Sequence, residues 1–367
     1  MNNLDALRAL TTPPEWRAGC DVTDTGGHVT TPAYSDGEEP DWQHVLEAMD
    51  LDPDRWQVDG AVRHSAWEVP GHGTKHAYRA RIVPRIPRSF DVEDLIDSIY
   101  EDIEPPSEHR AGWRTLQIGD THIGKGEGDG GGTEKIMERW RASVTAALDG
   151  AWEGVHLAFL GDLIEGQVSQ NGKNIAGMDC TLTEQLRIAR HLVSWTVQEA
   201  LHAGQRVIVS AIPGNHGETT RVQGRPLTDS FDVDIVNAVQ QSFDEFGNYP
   251  VTWYYPRPHE GHVTYEVGDT TFTSVHGHYF SGKMTGAEKW WSGMAVHGRA
   301  PGRAQVMMCG HFHSMQVSNF TADKWIMFGP SLETQSTWFA EKSGASSKPG
   351  ILAYDTINGV PTNIGVV

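Results

Sequence analysis

From Gly112 onward, short apolar runs alternate with stretches of helical spacing. TLQIGD (115–120), HLAFLGD (156–162) and RVIVSAIPGNH (206–216) read as buried strands that run into a glycine and then polar residues. Between the first two, TEKIMERWRASVTAALDG (133–150) repeats apolar positions at Ile136, Trp140, Val144 and Ala147. The stretch 181–204 reads as one long helix, with Thr181 or Thr183 able to cap its start and Gly204 its end, and 229–246 as another. Past residue 250 the pattern turns strand-rich. VTWYY (251–255), HVTYEV (262–267), TTFTSVHG (270–277), AQVMMCG (304–310), QVSNF (316–320), KWIMFG (324–329) and ILAYD (351–355) follow one another, several alternating in period two. One helical stretch, 286–298, interrupts them. The order βαβαβα followed by strands predicts an α/β class that grades into α+β, with two packed mixed sheets flanked by helices.

Residues 1–110 are patterned differently. Turn-rich text gives way to one short helix broken at Pro53, then to AVRHSAWEV (61–69) and HAYRARIV (76–83), which can pair as strands. The acidic stretch 91–106 carries Leu95, Ile96, Ile99 and Ile103 on one helical face and stops at Pro105 and Pro106. The expected division is a small α+β accessory domain over 1–110 and a larger domain over 111–367.

Composition narrows this picture. Acidic residues number 48 against 29 basic ones, a formal net charge of -19, so non-specific coating of nucleic acid is disfavoured. Bound divalent cations reverse the local sign, however, and a metal-centred nuclease stays open. Lys75, Arg79, Arg81, Arg85 and Arg88 share a stretch without a single acid, which reads as a charged edge strand or as a nucleic-acid contact. Cys20, Cys180 and Cys309 show no CxxC spacing, which argues against a disulfide framework or a cysteine zinc site and fits a reducing, cytoplasmic setting. No apolar run long enough to span a bilayer and no basic-then-apolar leader occur, so no membrane partner is expected.

Short motifs follow in order: Asp120-Thr-His122, Gly161-Asp162, Gly214-Asn215-His216, His276 at a strand end, and Gly310-His311-Phe-His313. They gather carboxylates, an amide oxygen and imidazoles at strand ends, a mixed oxygen and nitrogen donor set suited to Mn, Fe, Zn or Mg. In Asp-x-His and His-x-His an extended backbone would turn both donors to one side. His276 is preferred to His278 because it directly ends the apolar run TTFTSV. The near-match to a phosphate-binding loop at Gly277–Met284 lacks the hydroxyl after Lys283 and is set aside. Lys125, opening the glycine-rich 124–132 stretch, is a candidate phosphate contact, and Trp290, Trp291 and Trp338 are candidates for stacking bases in a cleft.

The order and identity of these motifs resemble the calcineurin-like metallophosphoesterase superfamily, with Asp120-Thr-His122-Ile-Gly124 closest to its repair-nuclease branch. The resemblance covers about 120–313 and implies the four-layer sandwich of that superfamily. It implies a dinuclear centre in which one divalent ion, Mn first among the candidates, takes Asp120, His122, Asp162 and His313. The other would take Asp162, Asn215, His276 and His311, with Asp162 bridging. A metal-bridging hydroxide would be the nucleophile of phosphodiester hydrolysis. His216 would assist the leaving oxygen and Glu165 would orient it as the second catalytic residue. Two departures stand out: Gly166 occupies the place of the arginine of the protein phosphatases, and Gly217 that of the acid expected after Gly-Asn-His, with Glu218 one place on. A nuclease-like enzyme on DNA or RNA is the first expectation. A phosphoesterase of nucleotides or cyclic nucleotides is the alternative, and a silent binding protein the third.

Overall fold

A computed structural model describes residues 16–23, 26–35, 39–84, 90–100, 109–126, 132–247, 249–333 and 347–367. The chain divides into two compact units, Met1–Pro87 and Arg88–Val367.

In the first unit β1 (Gly19–Thr23), β2 (Gly26–Thr30), β3 (Tyr34–Ser35), the short helix α1 (Trp42–Glu47), β4 (Trp56–Val69) and β5 (Gly73–Pro84) follow in order. The long β5 pairs antiparallel with β2, β3 and β4, and β1 pairs with β2. Asp41 caps α1, which presents Val45 and Leu46 to Val29 and Ile82 in a small core. The expected 61–69/76–83 pairing is present but longer. Of the basic stretch, Lys75 donates to Ser35 Oγ (2.9 Å) and Arg81 pairs with Asp59 (3.3 Å), while Arg85 and Arg88 lie outside the described residues.

The second unit begins with α2 (Val92–Asp97), capped by Asp91 and continued by a 3-10 turn at Ser98–Tyr100. Val92, Ile96 and Ile99 are buried in the large core of this unit. The division therefore falls at Pro87/Arg88 and not near residue 110: an amphipathic face shows that a helix packs, not which core receives it.

β6 (His109–Ile118), β7 (Ala151–Phe159), β8 (Val207–Ala211) and β9 (Val251–Tyr254) run parallel in that order. Helices α3 (Gly132–Ala147), α4 (Leu182–Ala203) and α5 (Phe231–Phe246) connect them and share their core. A capping box of Thr181 and Glu184 starts α4, and Ser230 caps α5. A second sheet is built from β10 (His262–Val267), β11 (Thr270–Val275), β12 (Val306–Cys309), β13 (Gln316–Thr321) and β14 (Lys324–Phe328), in the order β10-β11-β12-β14-β13. Helix α6 (Met284–Val296) packs on its far face through Ala287 and Trp291. The chain then returns to the first sheet as β15 (Leu352–Ile357) and β16 (Val360–Val366), which extend it to six strands beyond β6. The architecture is mixed α/β, with mixed sheets flanked by helices, and the layers are helices, six-stranded sheet, five-stranded sheet, helix.

The two sheets meet face to face through Leu160, Ile208, Tyr354, Phe272, Met308 and Met327. A polar thread crosses this interface. Thr115 Oγ1 and His156 Nδ1 lie 3.2 Å apart, His156 Nε2 meets Tyr265 Oη at 2.8 Å, and that hydroxyl meets Ser210 Oγ (2.6 Å) and Ser274 Oγ (3.0 Å). Trp291 is buried with its Nε1 donating to Pro301 O (2.6 Å), so it serves the α6 interface and not a cleft. Trp290 is part-buried in the same cluster, and Trp338 lies outside the described residues. Among the described residues no helix is long and apolar enough to cross a membrane.

Candidate metal centre

Every expected donor follows directly on a strand that ends on the same side of the two sheets. Asp120 and His122 follow β6, Asp162 follows β7, Asn215 and His216 follow β8, His276 follows β11, and His311 and His313 follow β12. The local geometry is not the expected strand alternation. Asp120, His122, Asp162, His311 and His313 have φ of 51°, 50°, 52°, 68° and 49°, in the left-handed region that non-glycine residues seldom occupy. Such strain persists only where the surroundings over-determine it. Here the loops after β6 and β7 are zipped together: Asp120 N donates to Gly161 O (3.1 Å), Thr121 N and His122 N to Asp162 O (2.9 and 3.1 Å) and Ile123 N to Leu163 O (3.1 Å). Gly214 permits the close approach of the β8 loop, since a Cβ there would stand 2.1 Å from Asp162 Oδ1.

These turns bring the donors into two groups, Asp120 with His122 and His313, and Asp162 with His276 and His311, each with its ligand atoms within 4.8 Å of one another. Asp162 also falls within that range of His122 and His216, so its carboxylate stands between the two groups. Asn215 Oδ1 lies 3.2 Å from His276 Nε2, which places the amide in the second group. The imidazoles are oriented from behind. His276 Nδ1 donates to Leu160 O (2.7 Å), His122 Nδ1 to Glu165 Oε2 (3.0 Å) and His313 Nδ1 to Glu333 Oε1 (2.9 Å). Each of these acceptors fixes the proton on Nδ1 and turns Nε2 inward as a donor atom. Asp120 Oδ2 accepts from His311 N (2.6 Å), while Oδ1, 3.4 Å from His313 Nε2, is buried without a hydrogen bond among the described residues. An orphaned carboxylate oxygen facing inward-turned imidazoles fits a divalent cation of the Mn, Fe or Zn type.

The electrostatics agree. Burial alone would lower His276 and His313, but the Asp162 and Asp120 carboxylates outweigh it and raise them to about 9 and about 10. Burial would raise Asp162, but the charges of His276 and His216 hold it well below the usual carboxylate range. His311 goes the other way: burial and the charge of His276 lower it to about 4. A cation taking the same Nε2 atoms would release the protons held there.

His216 and Glu165 meet as expected, with His216 Nδ1 3.2 Å from both the Glu165 backbone oxygen and Oε2. Glu165 is thus shared by His122 and His216, and its other oxygen accepts from Asn174 Nδ2 (3.0 Å). Burial would lower His216, yet the charge of Asp162 and the hydrogen bond of Glu165 raise it to about 9. His216 Nε2 faces Ser169 Oγ at 3.2 Å.

The two glycine departures have steric causes. Gly166 has φ +63°, and a Cβ would stand 2.1 Å from His216 O. At Gly217 a Cβ would meet Asp232 Oδ2 at 2.2 Å. Asp232 occupies that space because it ties two site loops together, accepting from Leu163 N and Gly214 N, both at 2.9 Å. Glu218 turns outward to Arg221 (3.0 Å) and Arg225 (2.7 Å). Lys125, read from sequence as a phosphate contact, is instead ion-paired with Glu333 at 2.5 Å. His278 lies beside His276, ring centroids 5.4 Å apart, with its Nδ1 buried and without a hydrogen-bond partner among the described residues.

Sequence reasoning missed Asp232, Ser169, Asn174 and Glu333. Only Glu333 left a signal: KWIMFG ends on a glycine, as the recognised strand-end motifs do, and an acid follows four residues later.

No protein-family model matches the sequence, and no curated protein does. Among solved structures the chain is similar to a Vps29 from Entamoeba histolytica in complex with zinc, at TM-score 0.33 and 11% identity over 67% of this chain and 87% of that one. It is also similar to a metallophosphoesterase from Sphaerobacter thermophilus, at TM-score 0.31 and 12% identity over 69% and 88%. A third, a conserved protein described as a predicted phosphoesterase from Streptococcus pneumoniae, has TM-score 0.28 and 12% identity over 66% and 83%.

Proposed function

We propose that this chain is a dinuclear metal-dependent phosphoesterase that hydrolyses phosphodiester bonds, with DNA or RNA as the first substrate class. The observation that carries the proposal is the position of Asp162, within ligand range of donors from both groups. Asp120, His122, His313 and Asp162 would hold one ion, and Asp162, Asn215, His276 and His311 the other. Bound there, two divalent cations supply Lewis acidity and neutralise charge on the phosphoryl oxygens.

The remaining chemistry belongs to the chain. His216 would hold a proton at Nε2 for the departing oxygen, and Glu165 keeps its Nδ1 face fixed. Asn174 in turn holds Glu165. The Ser169 hydroxyl at His216 Nε2 marks the place a leaving oxygen would take. A nucleotide or cyclic-nucleotide phosphoesterase is the second reading, favoured by the net charge of -19.

The test is turnover of bis(p-nitrophenyl) phosphate with Mn²⁺, alongside metal content by mass spectrometry. Wild type should turn over and hold close to two ions per chain, and His216→Ala should lose turnover without losing metal. A chain inert with Mn²⁺, Fe²⁺, Zn²⁺ and Mg²⁺ would overturn the enzyme reading. Labelled single- and double-stranded DNA and RNA, set against cyclic and linear mononucleotides, separate the two substrate classes.

A further inference from the structure

The five motifs do not exhaust the strand ends that reach the centre. A sixth loop, Ser331-Leu332-Glu333, follows β14, beside the β12 loop that carries His311 and His313. It is held from several directions. Ser331 Oγ donates to Asp120 O (2.6 Å) and accepts from Glu333 N (3.0 Å), and Arg139 Nη1 donates to Leu332 O (2.9 Å). The side chain that this loop delivers is a buried carboxylate, 8% exposed. It lies between two nitrogen donors, with Oε2 2.5 Å from Lys125 Nζ and Oε1 2.9 Å from His313 Nδ1. A carboxylate paired with an ammonium on one oxygen accepts on the other, so Oε1 takes the hydrogen bond of His313 Nδ1–H.

We propose that Glu333 is a positioning residue for the centre. Its Oε1 locks the ring and tautomer of His313 so that Nε2 faces Asp120, and its Oε2 is balanced by Lys125. The inference rests on the metal-centre reading above and adds to it a residue outside the motif pattern. The chemistry is that of the Glu165–His122 and Leu160–His276 contacts: an acceptor behind the ring sets which nitrogen is left to bind. Lys125 has the complementary task. Without a cation beside it, a carboxylate this deeply buried would be costly to keep charged. The glycine-rich segment that begins at Gly124 thereby contributes its lysine to the support of His313 and not to substrate.

A purely structural Lys125–Glu333 pair would leave ion affinity untouched, so affinity is the measurement. The full-length protein, stripped with a chelator, is titrated calorimetrically with Mn²⁺, and with Co²⁺ for its visible d–d absorption. Relative to wild type, Glu333→Leu should bind one of two ions roughly 10–100-fold more weakly and alter the Co²⁺ band. Glu333→Gln, which keeps an acceptor for Nδ1–H, should restore affinity to within about threefold and keep the band. Should Glu333→Leu fail to fold, Glu333→Asp replaces it: the charge stays, the acceptor withdraws by one methylene, and a comparable loss is expected. Wild-type affinities and an unchanged Co²⁺ band in the Leu or Asp variant would overturn the assignment, as would Gln as weak as Leu. Wild-type protein that takes up no ion would instead overturn the metal-centre reading itself.

Discussion

Replacing Gly166 by alanine tests the steric account of the site, because two costs can be separated there. The first is conformational: a residue with a Cβ at φ +63° costs about 1–2 kcal/mol relative to glycine. The second is contact: the new Cβ would stand 2.1 Å from His216 O, and relief requires the two to part by roughly 1 Å. Overpacking of this kind costs about 1–3 kcal/mol. Gly172 supplies the control, since its φ is +81° but the nearest atom to an added Cβ is Gln167 O at 3.6 Å. Gly172→Ala should therefore show the conformational cost alone. In urea titrations Gly166→Ala should be less stable than Gly172→Ala by about 1–3 kcal/mol. A displacement of His216 by about 1 Å should also lower bis(p-nitrophenyl) phosphate turnover by about 100-fold, with Gly172→Ala near wild type. Equal stability losses in the two variants, or full turnover in Gly166→Ala, would refute the reasoning.

Two further outcomes are expected. Asp232→Ala leaves the amides of Leu163 and Gly214 without their acceptor, which should cost about 2–6 kcal/mol at about 1–3 per buried donor. Asp232→Asn, able to accept one of them, should lose about half as much, and identical denaturation midpoints for the two variants would contradict the clamp. His156, lowered to about 3 by burial between the sheets, is neutral in the folded chain. The unfolded chain takes up the proton below its ordinary value of about 6.5. Stability should therefore fall as pH drops from about 6.5 toward 4, by up to about 1.4 kcal/mol per unit more than in His156→Gln, which lacks this contribution. Parallel stability-against-pH curves for wild type and His156→Gln would show that the buried ring is not responsible.

Much of the second unit was legible because both faces of its strands are covered. Parallel strands of that kind read as short apolar runs, and β8 and β12 fall within the runs that predicted them. β16 escaped because Val360–Val366 contains Pro361, Asn363 and Gly365 and does not alternate. β1 and β2 escaped because five-residue strands rich in glycine and threonine bury little. The donors were legible as residue types in order, whereas their left-handed backbone was not. Nothing in Asp-Thr-His distinguishes an extended triplet from one held by a neighbouring loop. Asp232 was hidden for a related reason: it acts on the backbone of two loops distant in sequence, at no fixed spacing.

Neither sheet holds a complete donor group. Asp120 and His122 come from the six-stranded sheet while His313 comes from the five-stranded one, and Asp162 and Asn215 are likewise matched with His276 and His311 across the interface. Sliding one sheet over the other by a single residue would pull both groups apart together. An ion that binds only the aligned arrangement must strengthen that alignment by the same free energy, by mass action. The buried thread of Thr115, His156, Tyr265, Ser210 and Ser274 then acquires a second meaning. It holds in register the two sheets whose strand ends must meet for either donor group to be complete.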